Sequence, residues 1–166
     1  IRVLVSVMKK LGDVVVVAPD SPQSGMGHAI TIGETLRLYE EDIFENVLAY
    51  KSSGTPADCV KLAKHYVLKD RTPDLVVSGI NHGSNTSISV LYSGTMSAAI
   101  EGALEGYPSI GFSLCDFSSK ADFSDCDFPE KSSFPKYIPI IRAMINAANT
   151  KSVCDMVGGF VLSSKC

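Results

Sequence analysis

Apolar positions in this chain follow two rhythms that alternate along its length. Residues 1–5 (IRVLV) and 14–18 (VVVVA) are short, nearly all-apolar runs rich in β-branched residues. Strands buried on both faces of a parallel sheet have this pattern. Residues 28–42 alternate loosely and predict a strand or extended arm, with Ile30, Ile32, Leu36 and Leu38 as its apolar positions. Another short strand is expected within residues 45–56 (ENVLAYKSSGTP) before a break. Residues 55–70 then switch to a helical period, with Val60, Ala63 and Val67 on one side. Thr55 is placed as N-cap, Pro56 at N1 and Asp58 at N3 of a capping box. Residues 73–81 (PDLVVSGIN) predict the next buried strand, breaking at Gly79. Residues 93–106 (SGTMSAAIEGALEG) predict a helix capped by Ser93 or Thr95 and ended by Gly106; its small residues suit close packing on a sheet. Residues 107–115 (YPSIGFSLC) predict a further parallel strand. Residues 116–135 carry no assignable period, 136–150 read as a helix entered through Pro139, and 158–164 (GGFVLSS) as a last strand.

Strands alternating with helices across short loops predict an α/β fold, a doubly wound and mainly parallel sheet with helices on both faces. The opening raises a geometric difficulty. Adjacent parallel strands need a crossover of about a dozen residues or more, and only residues 6–13 separate the first two apolar runs. Residues 6–11 make roughly 9 Å of helix, which leaves nothing for the turns.

Composition narrows the function classes. A chain of 166 residues fits one domain. Its net charge of −3 offers no broad basic field to nucleic acid or an anionic membrane. No run of 18 apolar residues or leader-like segment stands out. The five cysteines form no CxxC pair, which argues against a zinc site or disulfide framework and for a reducing cytoplasm. Cys59 and Cys115 read as small buried hydrophobes.

In open α/β sheets, ligands bind beyond the carboxyl ends of the strands. The segments there are 18–29 (APDSPQSGMGHA), 78–87 (SGINHGSNTS) and 92–99 (YSGTMSAA). They share hydroxyls, amides and free backbone N–H groups with almost no positive charge. The start of the 93–106 helix offers amides and a positive dipole end to an oxyanion. Ser24 and Asn81 supply neutral oxygens that suit Mg²⁺ or Mn²⁺, although such an ion wants carboxylates as companions. Each segment also has a plainer reading. Ser-Gly-Thr is a common N-cap, and GMGHA lacks the dinucleotide pattern. His28 and His82 are either proton or phosphate donors or ordinary hydrogen-bonded loop histidines. His65 reads as a surface residue, Asp20 as a turn residue and Asp58 first as a helix-start residue.

Taken together, residues 14–25, 53–60, 73–85 and 92–102 resemble the SurE family of stationary-phase survival proteins, in the family's own order across most of residues 1–114. The resemblance implies a Rossmann-like core, residues 1–124, with 125–166 as its remainder or a C-terminal segment. It implies a divalent-metal-dependent phosphatase acting on nucleoside 5′- and 3′-monophosphates, assembled as a homodimer or homotetramer and needing no nucleic-acid polymer or membrane. It carries metal binding to Ser24 and Asn81, and phosphate binding to Asn85, Ser93, Gly94 and Thr95. The family's paired aspartates, in an Asn-Asp-Asp-Gly turn after its first strand, have no counterpart here, so the catalytic residue stays unassigned. The short crossover and the missing pair together suggest a segment lost between Val5 and Ser6. Two other classes compete: a nucleotide- or phosphate-binding module without catalysis, and a serine hydrolase using Ser78 or Ser93 with His28 or His82. The second lacks the G-x-S-x-G elbow.

Overall fold

The alternation of the four valines at 14–17 decides the layering. Successive strand side chains point to opposite faces. Accordingly Val14 and Val16 enter one apolar cluster, and Val15 and Val17 the other. They belong to β1 (Asp13–Pro19). The structure is a computed structural model that describes residues 1–114 and the backbone of residues 161–163.

β2 (Leu38–Glu40) and β3 (Leu48–Ser52) lie to one side of β1. β4 (Leu75–His82), β5 (Ser109–Leu114) and β6 (Val161–Ser163) lie to the other. The sheet order is β2-β3-β1-β6-β4-β5. β1 pairs parallel with β3, and β4 with β5. β6 sits antiparallel between β1 and β4, so those two strands run the same way and share one carboxyl edge. The last expected strand therefore forms within residues 158–164, while the helix expected at 136–150 lies outside the described residues.

Helices cover both faces. α1 (Arg2–Met8) supplies Leu4, Val5, Val7 and Met8 to the cluster that holds Val14, Val16, Leu75 and Val77. On the opposite face α2 (Pro56–Leu62), continued by a π-helical turn over Ala63–Leu68, contributes Cys59, Val60 and Ala63. α3 (Gly94–Leu104) adds Ala98 beside Val76. The expected α/β architecture is present. Among the described residues no helix is long and apolar enough to cross a membrane.

The first strand expected from sequence is not formed. Ile1 stands at the N-cap of α1 and residues 2–5 belong to the helix, whose ladder runs from the Val5 amide on Ile1 O (3.0 Å) to the Lys9 amide on Val5 O (2.9 Å). Their β-branched content suits a strand, but Leu4, Val7, Met8 and Leu11 also fall at i, i+3, i+4 and i+7, one helical face. Packing of that face on the sheet outweighs the weak local preference. With no strand before α1 there is no crossover to span, so the geometric argument for a lost segment between Val5 and Ser6 has no footing. The arm expected over 28–42 is also smaller than its pattern suggests. Only Leu38–Glu40 pairs, and Ile32 is 83% exposed.

Where α3 crosses β4 the fit is close. A Cβ built on Gly102 would lie 2.6 Å from Ser109 Oγ and 3.0 Å from Val76 Cβ. Overpacking of this kind costs about 1–3 kcal/mol. Gly102→Val is therefore expected to lower the urea midpoint with an unchanged m-value; an unaltered midpoint would show that α3 is free to move off the sheet.

Candidate functional site

The loop leaving β1 reaches the end of β4 because α2 holds its far end. Thr55 caps α2, its Oγ1 accepting from the Asp58 amide (3.2 Å) while Asp58 Oδ2 accepts from the Thr55 amide (2.9 Å). The capping box read from sequence is thus present. The same two side chains also fasten the loop. Thr55 Oγ1 donates to Ala29 O (2.6 Å), and Asp58 accepts from the Thr31 hydroxyl (2.6 Å) and amide (3.1 Å to Oδ2). Asp58 is 3% exposed. Burial opposes its charge, but the Thr31 and Thr55 donors outweigh burial and hold its carboxyl below the ordinary value.

A further contact of the loop is with the 3₁₀ segment Ser87–Tyr92 that precedes α3. Gly27 donates its amide to Tyr92 O at 3.2 Å. It adopts φ 57°, and a Cβ there would meet Leu91 O at 2.6 Å, so only glycine lets the backbone approach this closely. At the start of α3, Ser93 Oγ accepts from the Met96 amide (3.1 Å). Ser93, not Thr95, is therefore the cap. The amides of Gly94 and Thr95 are left without intrahelical acceptors, at the positive end of an eleven-residue helix.

These elements enclose a cleft of about 420 Å³ at the shared carboxyl edge. All six residues proposed from sequence line it: Ser24 from the β1 loop, Asn81 and Asn85 from the end of β4 and its loop, and Ser93, Gly94 and Thr95 from α3. Asn85 Nδ2 donates to Ser113 Oγ (2.9 Å). Asn81 Nδ2 donates to His82 O (3.1 Å) and Gly83 O (3.0 Å), so the amide nitrogen is committed to the backbone of the loop. Gln23, Pro56, Ser89 and Tyr92 complete much of the wall. Their sequence signal is weak: each lies near a site residue in sequence or space without belonging to a chemical pattern.

An adjoining cleft of about 400 Å³ reaches down between β1 and β4 to Cys59, Ser78 and His82. Burial pushes the Cys59 thiol up to about 12, so it is a packed apolar group, not a metal ligand or nucleophile. Ser78 is buried in β4, and Ser93 Oγ is committed to its cap, so neither stands on a nucleophile elbow. His65 is exposed. His28 lies outside both clefts, on Glu101 of α3. The other four cysteines lie outside the described residues.

No charged side chain among the described residues lines the first cleft. Among the described residues no three His, Cys, Asp or Glu come together as a metal cluster. Ser24 Oγ and Asn81 Oδ1 are among the hard neutral oxygens that the lining brings together. Oxygens of this kind are of the right chemical type for Mg²⁺ or Mn²⁺.

The chain matches the family model for survival protein SurE over residues 1–154. It is 77% identical over 124 residues to the 5′-nucleotidase SurE of Cytophaga hutchinsonii, covering 75% of this chain and 48% of that protein. To the 5′-nucleotidase SurE of Christiangramia forsetii it is 66% identical over 125 residues, covering 74% and 48%. The crystal structure of the SurE protein from Aquifex aeolicus superposes with a TM-score of 0.67 at 35% identity, covering 92% of this chain and 56% of that one. The chain spans about half the length of the curated relatives it matches. By its sequence and its fold alike, the chain belongs to the SurE family.

Proposed function

We propose that these residues form the phosphate-binding part of a divalent-metal-dependent phosphatase that hydrolyses nucleoside 5′- and 3′-monophosphates, in a protein working as a homodimer or homotetramer. The carrying observation is the uncharged cleft. A phosphate dianion there would meet helix amides, hydroxyls and carboxamides but no cation from the lining. Burying that charge unpaired is costly, and a bound cation offsets it. Relatives named 5′-nucleotidase support the nucleotide as substrate.

On this reading the Gly94 and Thr95 amides and the Thr95 hydroxyl hold phosphate oxygens, aided by the positive end of α3. Asn85, oriented by Ser113, donates to the same group. Ser93 shapes the helix start through its cap. Ser24 and Asn81 would hold Mg²⁺ or Mn²⁺, which supplies Lewis acidity toward the phosphoryl group when bound. The residue that attacks, or that takes a proton from the attacking water, is unassigned, because among the described residues no carboxylate lines this cleft. That same fact favours a second reading for these residues alone, phosphate binding without hydrolysis.

Phosphate release from adenosine 5′-monophosphate separates the two. Release that requires Mn²⁺ and stops with excess EDTA is expected. Mn²⁺-dependent binding of the nucleotide without release would favour the binding module, and neither binding nor release would overturn both.

A further inference from the structure

Every fourth residue from the cap of α3 shares one helix face: Ser93, Ser97, Glu101 and Glu105. On that face Ser97 is 0% and Glu101 4% exposed. A carboxylate so deeply buried needs partners that replace its water, and Glu101 draws them from two different elements. Lys61 of α2 places Nζ 2.5 Å from Oε1. His28 of the β1 loop places Nε2 2.8 Å from Oε2. Lys61 also reaches Glu105 at 3.3 Å, and Lys64 pairs with Glu105 as well. The lysine contacts bind helix to helix. The histidine contact serves another purpose, because α2 and α3 are already joined without it.

His28 lies four residues beyond Ser24 in a loop held at intervals along its course. The Asp20 amide donates to Ser52 O (2.8 Å), and the Gly27 amide to Tyr92 O (3.2 Å). Ala29 and Thr31 are fastened to the start of α2. Among the described residues, His28–Glu101 is the one side-chain hydrogen bond that joins this loop to α3 itself. α3 is also the helix whose amino end lines the cleft opposite Ser24. Glu101 therefore ties the two walls of the cleft together from behind.

Resting on the proposed role of the cleft, we infer that Glu101 is a positioning residue of the phosphate site. Through His28 it sets where Ser24 stands relative to the Gly94–Thr95 amides. His28 is the adjustable member, with a side chain 31% exposed against 5% for Glu101. It can be exchanged without opening the core.

The test uses His28→Ala and His28→Gln; glutamine keeps an N–H donor at about the reach of Nε2. Two quantities are read: binding of adenosine 5′-monophosphate in the presence of Mn²⁺, and hydrogen exchange of the amides of residues 20–31. His28→Ala is expected to weaken binding about tenfold, the loss of one hydrogen bond to a charged group, and to speed exchange in the loop by a similar factor. Local exchange in α2 and α3 should change far less than in the loop, and the thermal midpoint should fall by only about 2–4 °C, since Glu101 keeps Lys61. His28→Gln should return both quantities to within about threefold of the parent. Unchanged loop exchange in His28→Ala would overturn the inference, as would a glutamine variant no better than alanine in a folded protein. A parent that binds no nucleotide would count against the proposed function alone, because loop exchange still reports whether Glu101 positions the loop.

Discussion

Replacing Ser24 and Asn81 together by alanine is expected to abolish Mn²⁺-dependent release of phosphate from a nucleoside monophosphate. Ser24 is exposed at a loop tip, so its loss leaves the fold within about 0.5 kcal/mol of the parent. Asn81 has a second role, donating to His82 O and Gly83 O. Its replacement also loosens the turn after β4, and the single variants separate the two effects. Each substitution removes one of the two neutral oxygens proposed to hold the cation, so metal affinity should fall at least about tenfold per position. One lost charge-assisted contact is worth roughly that much. Nucleotide binding measured without metal should change far less, because the helix amides remain. Manganese titrations of activity on both single variants and the double variant check this. Mn²⁺ dependence surviving in the double variant would remove both residues from the metal site.

Asp58→Ala should have the largest effect on stability. It removes the N3 half of the capping box while Thr55 remains as N-cap. That strands three donors, the Thr55 amide and the Thr31 amide and hydroxyl, each of which now donates to a carboxylate 3% exposed and is worth about 1 kcal/mol. A total near 3 kcal/mol follows, which lowers the thermal midpoint by about 6–12 °C for a chain of this size. Phosphate binding should weaken as well, since the loop carrying Ser24 is released where Thr31 is held. The sign of the pH dependence follows from the carboxyl's lowered value in the folded state. Its contribution is fully present above the ordinary aspartate value of about 3.9 and is lost as pH falls through the lower folded value. The parent and Asp58→Ala should therefore converge in stability as acid is added below pH ~4. A gap of constant size down to full protonation would show that the charge is not what Asp58 supplies.

Local chemistry made most of the site readable before any contact was known. Thr55-Pro56-Ala57-Asp58 carries its own helix start, because a capping box needs only residues three apart. Ser93-Gly94-Thr95 announces an N-terminus for the same reason. Asn81 and Ser24 could be named because a strand end followed by a polar, glycine-rich turn marks the edge where open sheets bind ligands. His28 and Glu101 could not be read in this way. They are 73 residues apart, and neither a loop histidine nor a glutamate in an Ala/Gly-rich helix signals a buried pair. Asp58 was legible as a cap but not as the clamp on Thr31, a contact across 27 residues.

The sequence by itself determined the alternation of strands and helices beyond residue 13 and the starts of α2 and α3, since each depends on residues within a turn or two of one another. Through the family resemblance it pointed to six of the residues that line the cleft. Tertiary structure decided what the opening run becomes. IRVLVSVM satisfies both a strand's β-branched content and a helix's spacing, and burial of Leu4, Val7 and Met8 against the sheet selects the helix. It also decided that Ser24 and the α3 amides face one another. That arrangement comes from long-range bonds, Gly27 to Tyr92, His28 to Glu101 and Thr31 to Asp58, whose partners are near only once the chain has folded.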